Sequence, residues 1–337
     1  MYDISILKEQ LAQPKQVAVV MHARPDADAL GTSLALALFL KAQGHSVHVI
    51  SPTEYPTFLS WLPGVDSLVI AAHYTQEALL EQIKGIELLF CVDFSAASRL
   101  DEWAYILQQP NLFKIVIDHH IEPEDFADHL LWDPKAAASA EVLFQVFEAL
   151  GQKARITLSI ATCLYAGLLT DTNSFKNPNT RSITHRIAAD LIEFGVDTFK
   201  VQRLIYDNKS LDRLLFFSFA VSQRLVVLSE LQVAYFVIQK EDYKRYDLKS
   251  GDTEGLVDYA LSLKGISLAA VLKEKDDMVY LSLRSVGDIP ANLIAKNYFH
   301  GGGHKNAAGG ISYLRLTETV DRFEKILKDL RPQFNFN

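Results

Sequence analysis

From residue 17 onward, short apolar runs rich in β-branched residues alternate with longer segments of helical composition. The runs at residues 17–21, 47–50, 68–70, 88–92 and 114–117 are three to five residues long and bounded by polar positions, so they predict buried strands. Ala- and Leu-rich or mixed segments at 34–41, 76–83 and 100–108 predict helices between them. Such alternation implies a mostly parallel sheet with helices on both faces. After Asp133-Pro134 the pattern turns helical, at 138–150, 156–169 and 182–194, with Gly195 as a C-cap. Residues 196–229 have helical periodicity and mixed charge and read as a connector. Beyond it come a strand at 233–238, a helix at 253–263, and strands at 268–273 and 279–284 joined by a polar turn at 274–277. A helix at 291–298, a glycine-rich loop at 301–310, a strand at 311–314 and an amphipathic helix at 317–330 follow. The expected organisation is an α/β domain at 1–195, a helical connector at 196–229 and a smaller α/β domain at 230–337.

The chain has 337 residues, 49% of them apolar, which is enough for two cores. A net charge of −8 argues against an extended nucleic-acid track built on bulk positive charge. It remains compatible with a small anionic substrate held by a few basic groups and metal ions. Cys91 and Cys163 lie in apolar stretches and read as buried thiols, not as a disulfide or zinc site. The N-terminus lacks a basic segment followed by an apolar one, so no secretory signal is expected. No apolar run reaches membrane-spanning length. The expectation is a soluble cytoplasmic protein with no membrane partner; a homodimer is a possible state.

Polar chemistry collects at the ends of the apolar runs. His22, Asp26 and Asp28 follow the first strand, where open α/β sheets bind ligands. In an extended turn the two aspartates would point different ways and could serve two neighbouring cations. The alternative is that they merely start a helix. Asp93 ends the run at 88–92, Asp118-His119-His120 ends that at 114–117, and Asp171 ends that at 164–170. One aspartate after a strand is ordinarily a turn or cap residue. Four such sites at one edge of the expected sheet would crowd carboxylates that repel one another, and a shared cation removes the repulsion. His22, Asp26, Asp28, Asp93, His119 and Asp171 suffice for two ions. Carboxylates with imidazoles favour Mn²⁺, with Mg²⁺ or Co²⁺ as alternatives, over Ca²⁺. In the second domain, three glycines at Gly301, Gly302 and Gly303 would let backbone N–H groups approach an anion, with His304 and Lys305 beside them. The Arg284 fork at a strand end suits a phosphate. His129 and His185 lie in ordinary contexts and read as structural or surface residues.

The order His-x-x-x-Asp-x-Asp, Asp, Asp-His-His, Asp, followed by Gly-Gly-Gly-His, resembles the DHH phosphoesterase superfamily with its DHH-associated C-terminal domain. The resemblance runs from His22 to Gly310. It is nearest to the branch that degrades short oligoribonucleotides and removes the 3′-phosphate of 3′-phosphoadenosine 5′-phosphate. It implies one metal on His22, Asp26 and Asp93, and a second on Asp28, Asp93, His119 and Asp171, with Asp93 bridging. It further implies that Asp118 orients an imidazole, that His120 faces the scissile phosphate, and that Arg284 and the glycine loop bind substrate in a cleft facing the metals. Arg99 resembles a position near the active site; the alternative is a solvated arginine at a helix start. Asn173 stands where the family commonly has glycine, and asparagine tolerates the left-handed backbone such a turn needs. Competing readings are an inorganic pyrophosphatase, against which the glycine loop argues, and a general single-strand exonuclease. A non-catalytic nucleic-acid-binding protein is a third, against which the complete ligand set argues.

Overall fold

The computed structural model describes residues 2–207, 210–248, 251–275 and 277–331. The chain forms two compact units that divide between residues 208 and 209.

The first unit contains, in order, α1 (Ser5–Gln10), β1 (Gln16–Met21), α2 (Ala27–Lys41), β2 (Ser46–Ser51), β3 (Leu68–Ile70), α3 (Gln76–Gln82), β4 (Leu88–Val92), β5 (Phe113–Asp118), β6 (His129–Trp132), α4 (Ser139–Ala149), α5 (Leu158–Asp171), α6 (Ser182–Glu193) and α7 (Thr198–Tyr206). Six strands form a fully parallel sheet in the order β3-β2-β1-β4-β5-β6. The strands read as continuous apolar runs because both faces are covered. Val17, Val19 and Met21 enter one core, with α2, α4 and α5, while Ala18 and Val20 enter the other. The chain starts at β1, steps outward to β2 and β3, then returns to the other side of β1 at β4. Ligands bind at that reversal, outside the carboxyl ends of the strands. Register brings those ends level: Met21 lies opposite Val92, and Val92 opposite Ile117. His22, Asp93 and Asp118 therefore emerge side by side.

The second unit contains α8 (Leu211–Gln223), β7 (Leu225–Leu228), β8 (Val233–Ile238), α9 (Lys240–Arg245), α10 (Leu256–Leu261), β9 (Leu268–Lys275), β10 (Met278–Ser285), α11 (Ala291–Tyr298), β11 (Gly302–His304), β12 (Ala307–Ser312) and α12 (Leu316–Leu330). Its mixed sheet runs β11-β12-β10-β9-β8-β7, with only the β8–β9 pair parallel. Two apolar clusters cover its faces, one with α11 and α12 and one with α8 and α10.

Several expected elements differ. Helix α2 begins at Ala27, not at residue 34, because Asp26 caps it by accepting from the Asp28 and Ala29 N–H groups. That helix is buried almost all round, so it has no polar stripe to announce its first two turns. The helix expected at 100–108 is a 3₁₀ segment, Ala97–Gln108, kinked at Asp101 where φ is 50°. The connector stretch holds α7 and α8 but ends in a strand, β7. The glycine-rich stretch is not a loop: it is the β11–β12 hairpin, pairing Gly302 with Gly309 and His304 with Ala307. Residues 208–209 of the connector and Asp276 of the polar turn lie outside the described residues.

Candidate metal centre

All six expected ligands of the first domain gather at the carboxyl edge of the parallel sheet, in two adjoining groups. One is His22, Asp26 and Asp93; the other is Asp28, His119 and Asp171. A third group, Asp93, His119 and His120, overlaps both. Asp26 and Asp28 join different groups for a reason other than the one expected. They sit at the start of a helix, not in an extended turn, and two helical residues span roughly 200° of rotation. Both the capping and the clustering readings of Asp26 hold: it caps α2 and also faces His22 and Asp93. Asp171 arrives from the C-terminal end of α5.

Asp93 stands between the groups. Its Oδ2 lies 3.3 Å from His22 Nε2, and its Oδ1 lies 3.5 Å from His119 Nε2. It is buried and adopts φ 63°, with its N–H held by the Ile117 carbonyl at 2.9 Å. A non-glycine residue in the left-handed region persists only where its surroundings enforce it, and such residues cluster at functional sites. Helices α2 and α5 approach closely enough that a Cβ on Gly167 would come within 2.5 Å of Asp28 Oδ1. Glycine at 167 is thus a condition for Asp28 to sit where it does.

Both imidazoles are anchored through Nδ1. His22 Nδ1 donates to its neighbour's carbonyl, Ala23 O, at 2.9 Å, and His119 Nδ1 donates to Ala136 O at 3.2 Å. Each Nε2 is thereby turned toward carboxylate oxygens, Asp93 for His22 and both Asp93 and Asp171 for His119, the latter at 3.2 Å. His22 Nε2 is buried and has no hydrogen-bond partner among the described residues. A buried, unsatisfied ring nitrogen facing a carboxylate oxygen is what a cation between them would satisfy, and carbonyl-anchored histidines are how metal ligands are usually oriented. The donor set therefore fits divalent ions.

The electrostatics agree. Burial alone would lower the His119 pKa, but its bond to Asp171 and the charge of Asp93 raise it to about 11. Burial pushes Asp171 up to about 6 despite its bond to His119, with Asp26 and Asp93 adding to the rise. Burial and the neighbouring Asp93 and Asp171 carboxylates hold Asp28 well above the usual carboxylate range. Burial would raise Asp93 too, yet the His22 imidazole beside it and the charges of His120 and His119 hold it below that range. This cluster has a standing demand for positive charge.

His120 is arranged differently from His119. Its Nδ1 donates to Asp118 Oδ1 at 2.8 Å, and its carbonyl accepts from Trp132 Nε1 at 2.6 Å. Asp118 is fully buried, so the imidazole it orients is that of His120. Arg99 is exposed; its carbonyl accepts from the Ala23 N–H at 2.8 Å, tying it to the His22 loop. Asn173 has φ 47°, and Ser174 and Phe175 continue in the left-handed region, so the turn after Asp171 survives without glycine. His185 stacks on Phe175, and His129 Nε2 bonds to the Asp3 carbonyl.

In the second unit, Arg284 pairs with Ala307, and Ala307 with His304, so Arg284 and His304 share one row on one face. Arg284 is half-exposed, with Nε 3.8 Å from Asp258 Oδ1. Lys305 Nζ is paired with Asp288 at 2.7 Å. The glycines serve the hairpin's packing: a Cβ at Gly301 would strike the Gly309 carbonyl at 2.0 Å, and one at Gly303 the Ala307 carbonyl at 2.5 Å. Only Gly302 of the three faces open space. Three residues missed in the sequence belong to the centre: Thr32, Ser139 and Gly167. Thr32 donates to Asp28 and Ser139 to Asp93, at 3.0 and 2.7 Å. Their only sequence signal is a small polar residue, or a glycine, inside a helix packed against the site.

Comparison with known proteins agrees with this arrangement. The DHH family, N-terminal domain, matches residues 16–168, and the DHHA1 domain matches residues 230–333. The bifunctional oligoribonuclease and PAP phosphatase NrnA of Bacillus subtilis is 27% identical over 312 residues, covering 92% of this chain and 91% of that protein. NrnA of Thermus thermophilus is 28% identical over 318 residues, covering 94% and 90%. The crystal structure of an exopolyphosphatase-related protein from Bacteroides fragilis superposes with a TM-score of 0.94 at 33% identity, covering 98% of this chain and 96% of that one. The chain therefore belongs to the DHH family of phosphoesterases, hydrolases of phosphoester bonds, with a DHHA1 domain after its N-terminal domain.

Proposed function

We propose that the chain is a two-metal phosphodiesterase that degrades short oligoribonucleotides or linear dinucleotides and removes the 3′-phosphate of 3′-phosphoadenosine 5′-phosphate. The observation that carries this reading is Asp93, which turns one oxygen toward each of two ligand groups. His22, Asp26 and Asp93 would hold one ion; Asp28, Asp93, His119 and Asp171 would hold the other. The mixture of imidazole and carboxylate favours Mn²⁺. Such ions would supply Lewis acidity, lowering the pKa of the attacking water and neutralising charge on the phosphate. His120, with Nδ1–H held by Asp118, passes a proton from Nε2 to the leaving oxygen as the P–O bond breaks. Arg284, His304 and the open backbone at Gly302 bind the substrate. The names of the NrnA relatives support the choice of substrates.

The test is a panel of dinucleotide, five-mer, long RNA, pyrophosphate and 3′-phosphoadenosine 5′-phosphate, assayed on chelator-stripped protein with and without added Mn²⁺. The expected result is Mn²⁺-dependent turnover of the dinucleotide, five-mer and bisphosphorylated nucleoside. Turnover of pyrophosphate alone would replace this reading with a pyrophosphatase, and no turnover of any substrate with Mn²⁺ bound would replace it with a binding protein.

A further inference from the structure

Ser139 opens α4, is fully buried, and touches two of the carboxylates that bring the metal centre together. Its backbone N–H donates to Asp28 Oδ2 at 2.6 Å, and its hydroxyl donates to Asp93 Oδ1 at 2.7 Å. Those carboxylates come from different elements, the first turn of α2 and the end of β4. On Asp28 the clamp is completed by the Ala140 N–H and the Thr32 hydroxyl, each 3.0 Å from Oδ1. Helix α4 has alanine at its N-cap and no side-chain cap of its own, so Asp28 satisfies two of the N–H groups that a helix start leaves unpaired.

Among the described residues, no backbone N–H clamps the Asp93 carboxylate in this way. Rotation about the last side-chain bond of an aspartate is soft. Yet its role requires Oδ1 to face His119 while Oδ2 faces His22. The Ser139 hydroxyl is a neutral donor on Oδ1. It uses one of that oxygen's acceptor sites and leaves another for a cation, without adding charge that would compete with one.

We propose that Ser139 is a positioning residue of the metal centre, its hydroxyl fixing the rotation at which Asp93 presents one oxygen to each ion. The proposal rests on the two-metal reading above. Ser139→Ala separates the hydroxyl from the rest, because the backbone N–H bond to Asp28 survives it. Ser139→Thr keeps a hydroxyl.

Calorimetric titration of Mn²⁺ into the chelator-stripped full chain, with thermal melting and steady-state kinetics on a dinucleotide, tests this. Wild type should bind two ions. Ser139→Ala should bind at least one of them 10- to 100-fold more weakly, the range for residues that orient metal ligands. At saturating Mn²⁺ it should lose kcat while KM stays near wild type, and Ser139→Thr should recover most of both losses. Wild-type Mn²⁺ affinity and kcat in Ser139→Ala would overturn the proposal. So would equal losses in both variants matched by equally lowered melting, which would make Ser139 a packing residue. Failure of the wild-type chain itself to bind Mn²⁺ would overturn the two-metal reading, and this proposal with it.

Discussion

Asp93 and His120 lie within one cluster, and their surroundings give them different work. Asp93 is buried, belongs to the His22 and Asp26 group and lies 3.5 Å from His119 of the other, so under the bridging role proposed above Asp93→Ala should empty the centre. Elemental analysis should find less than one equivalent of bound Mn²⁺, with hydrolysis below detection; full metal content at a normal rate would refute the bridging role. His120 is anchored on Asp118 by one nitrogen. His120→Ala should keep both ions and lose about 10²- to 10⁴-fold in kcat, the usual yield of a general acid. Loss of metal in that variant would exchange its role with that of His119. At this scale the strand-end aspartates and histidines were legible because each closes an apolar run. What could not be read was direction. The sequence holds no trace of which nitrogen of His119 meets a carbonyl, or that Ser139 donates to Asp93 from another element.

The elements supply that direction through how closely they pack. Helices α2 and α5 meet at two glycines: a Cβ on Gly31 would lie 2.5 Å from the Cys163 carbonyl, and one on Gly167 would lie 2.5 Å from Asp28 Oδ1. Alanine at 167 gains about 1 kcal/mol of helix propensity, but overpacking of this kind costs about 1–3 kcal/mol. The obstruction at 167 also falls on a carboxylate of the centre. Gly167→Ala should therefore lower Mn²⁺ occupancy of the Asp28, His119 and Asp171 group more than it lowers the melting temperature. Gly302→Ala, with open space around it, should leave both unchanged and raise KM for nucleotides if substrate approaches that backbone. Metal analysis, melting curves and kinetics on the two variants separate the cases. The buried strands of the parallel sheet were readable from their run length. The start of α2 was not, since a helix buried on all sides carries no periodic stripe. The glycine stretch read as a loop because glycine disfavours strands, and here close backbone approach overrides that preference.

For the whole molecule, charge is the property that limits substrate. Asp and Glu exceed Lys and Arg by 41 to 33. The two basic groups of the second unit considered above are already in company, Arg284 with Asp258 and Lys305 with Asp288. A long single strand gains affinity along a basic groove that tracks its backbone, and this composition gives no sign of one. Binding energy from a few phosphates, used to position the scissile bond, favours the shortest substrate that makes those contacts. Oligomers of about two to five nucleotides should then be cut with a higher kcat/KM than a long RNA, since each added nucleotide brings little further electrostatic gain. The same argument fixes the salt response. Each phosphate neutralised on a single strand contributes about −0.7 to the slope of log affinity against log salt, so a site contacting two or three should show a slope of roughly −1.5 to −2. That slope should be the same for a five-mer and a long strand. Competition between labelled dinucleotide and labelled long RNA in one reaction, repeated across salt concentrations, measures both quantities. Faster processive loss of the long strand, with a slope that steepens with length, would identify a general single-strand exonuclease and reject the short-substrate reading.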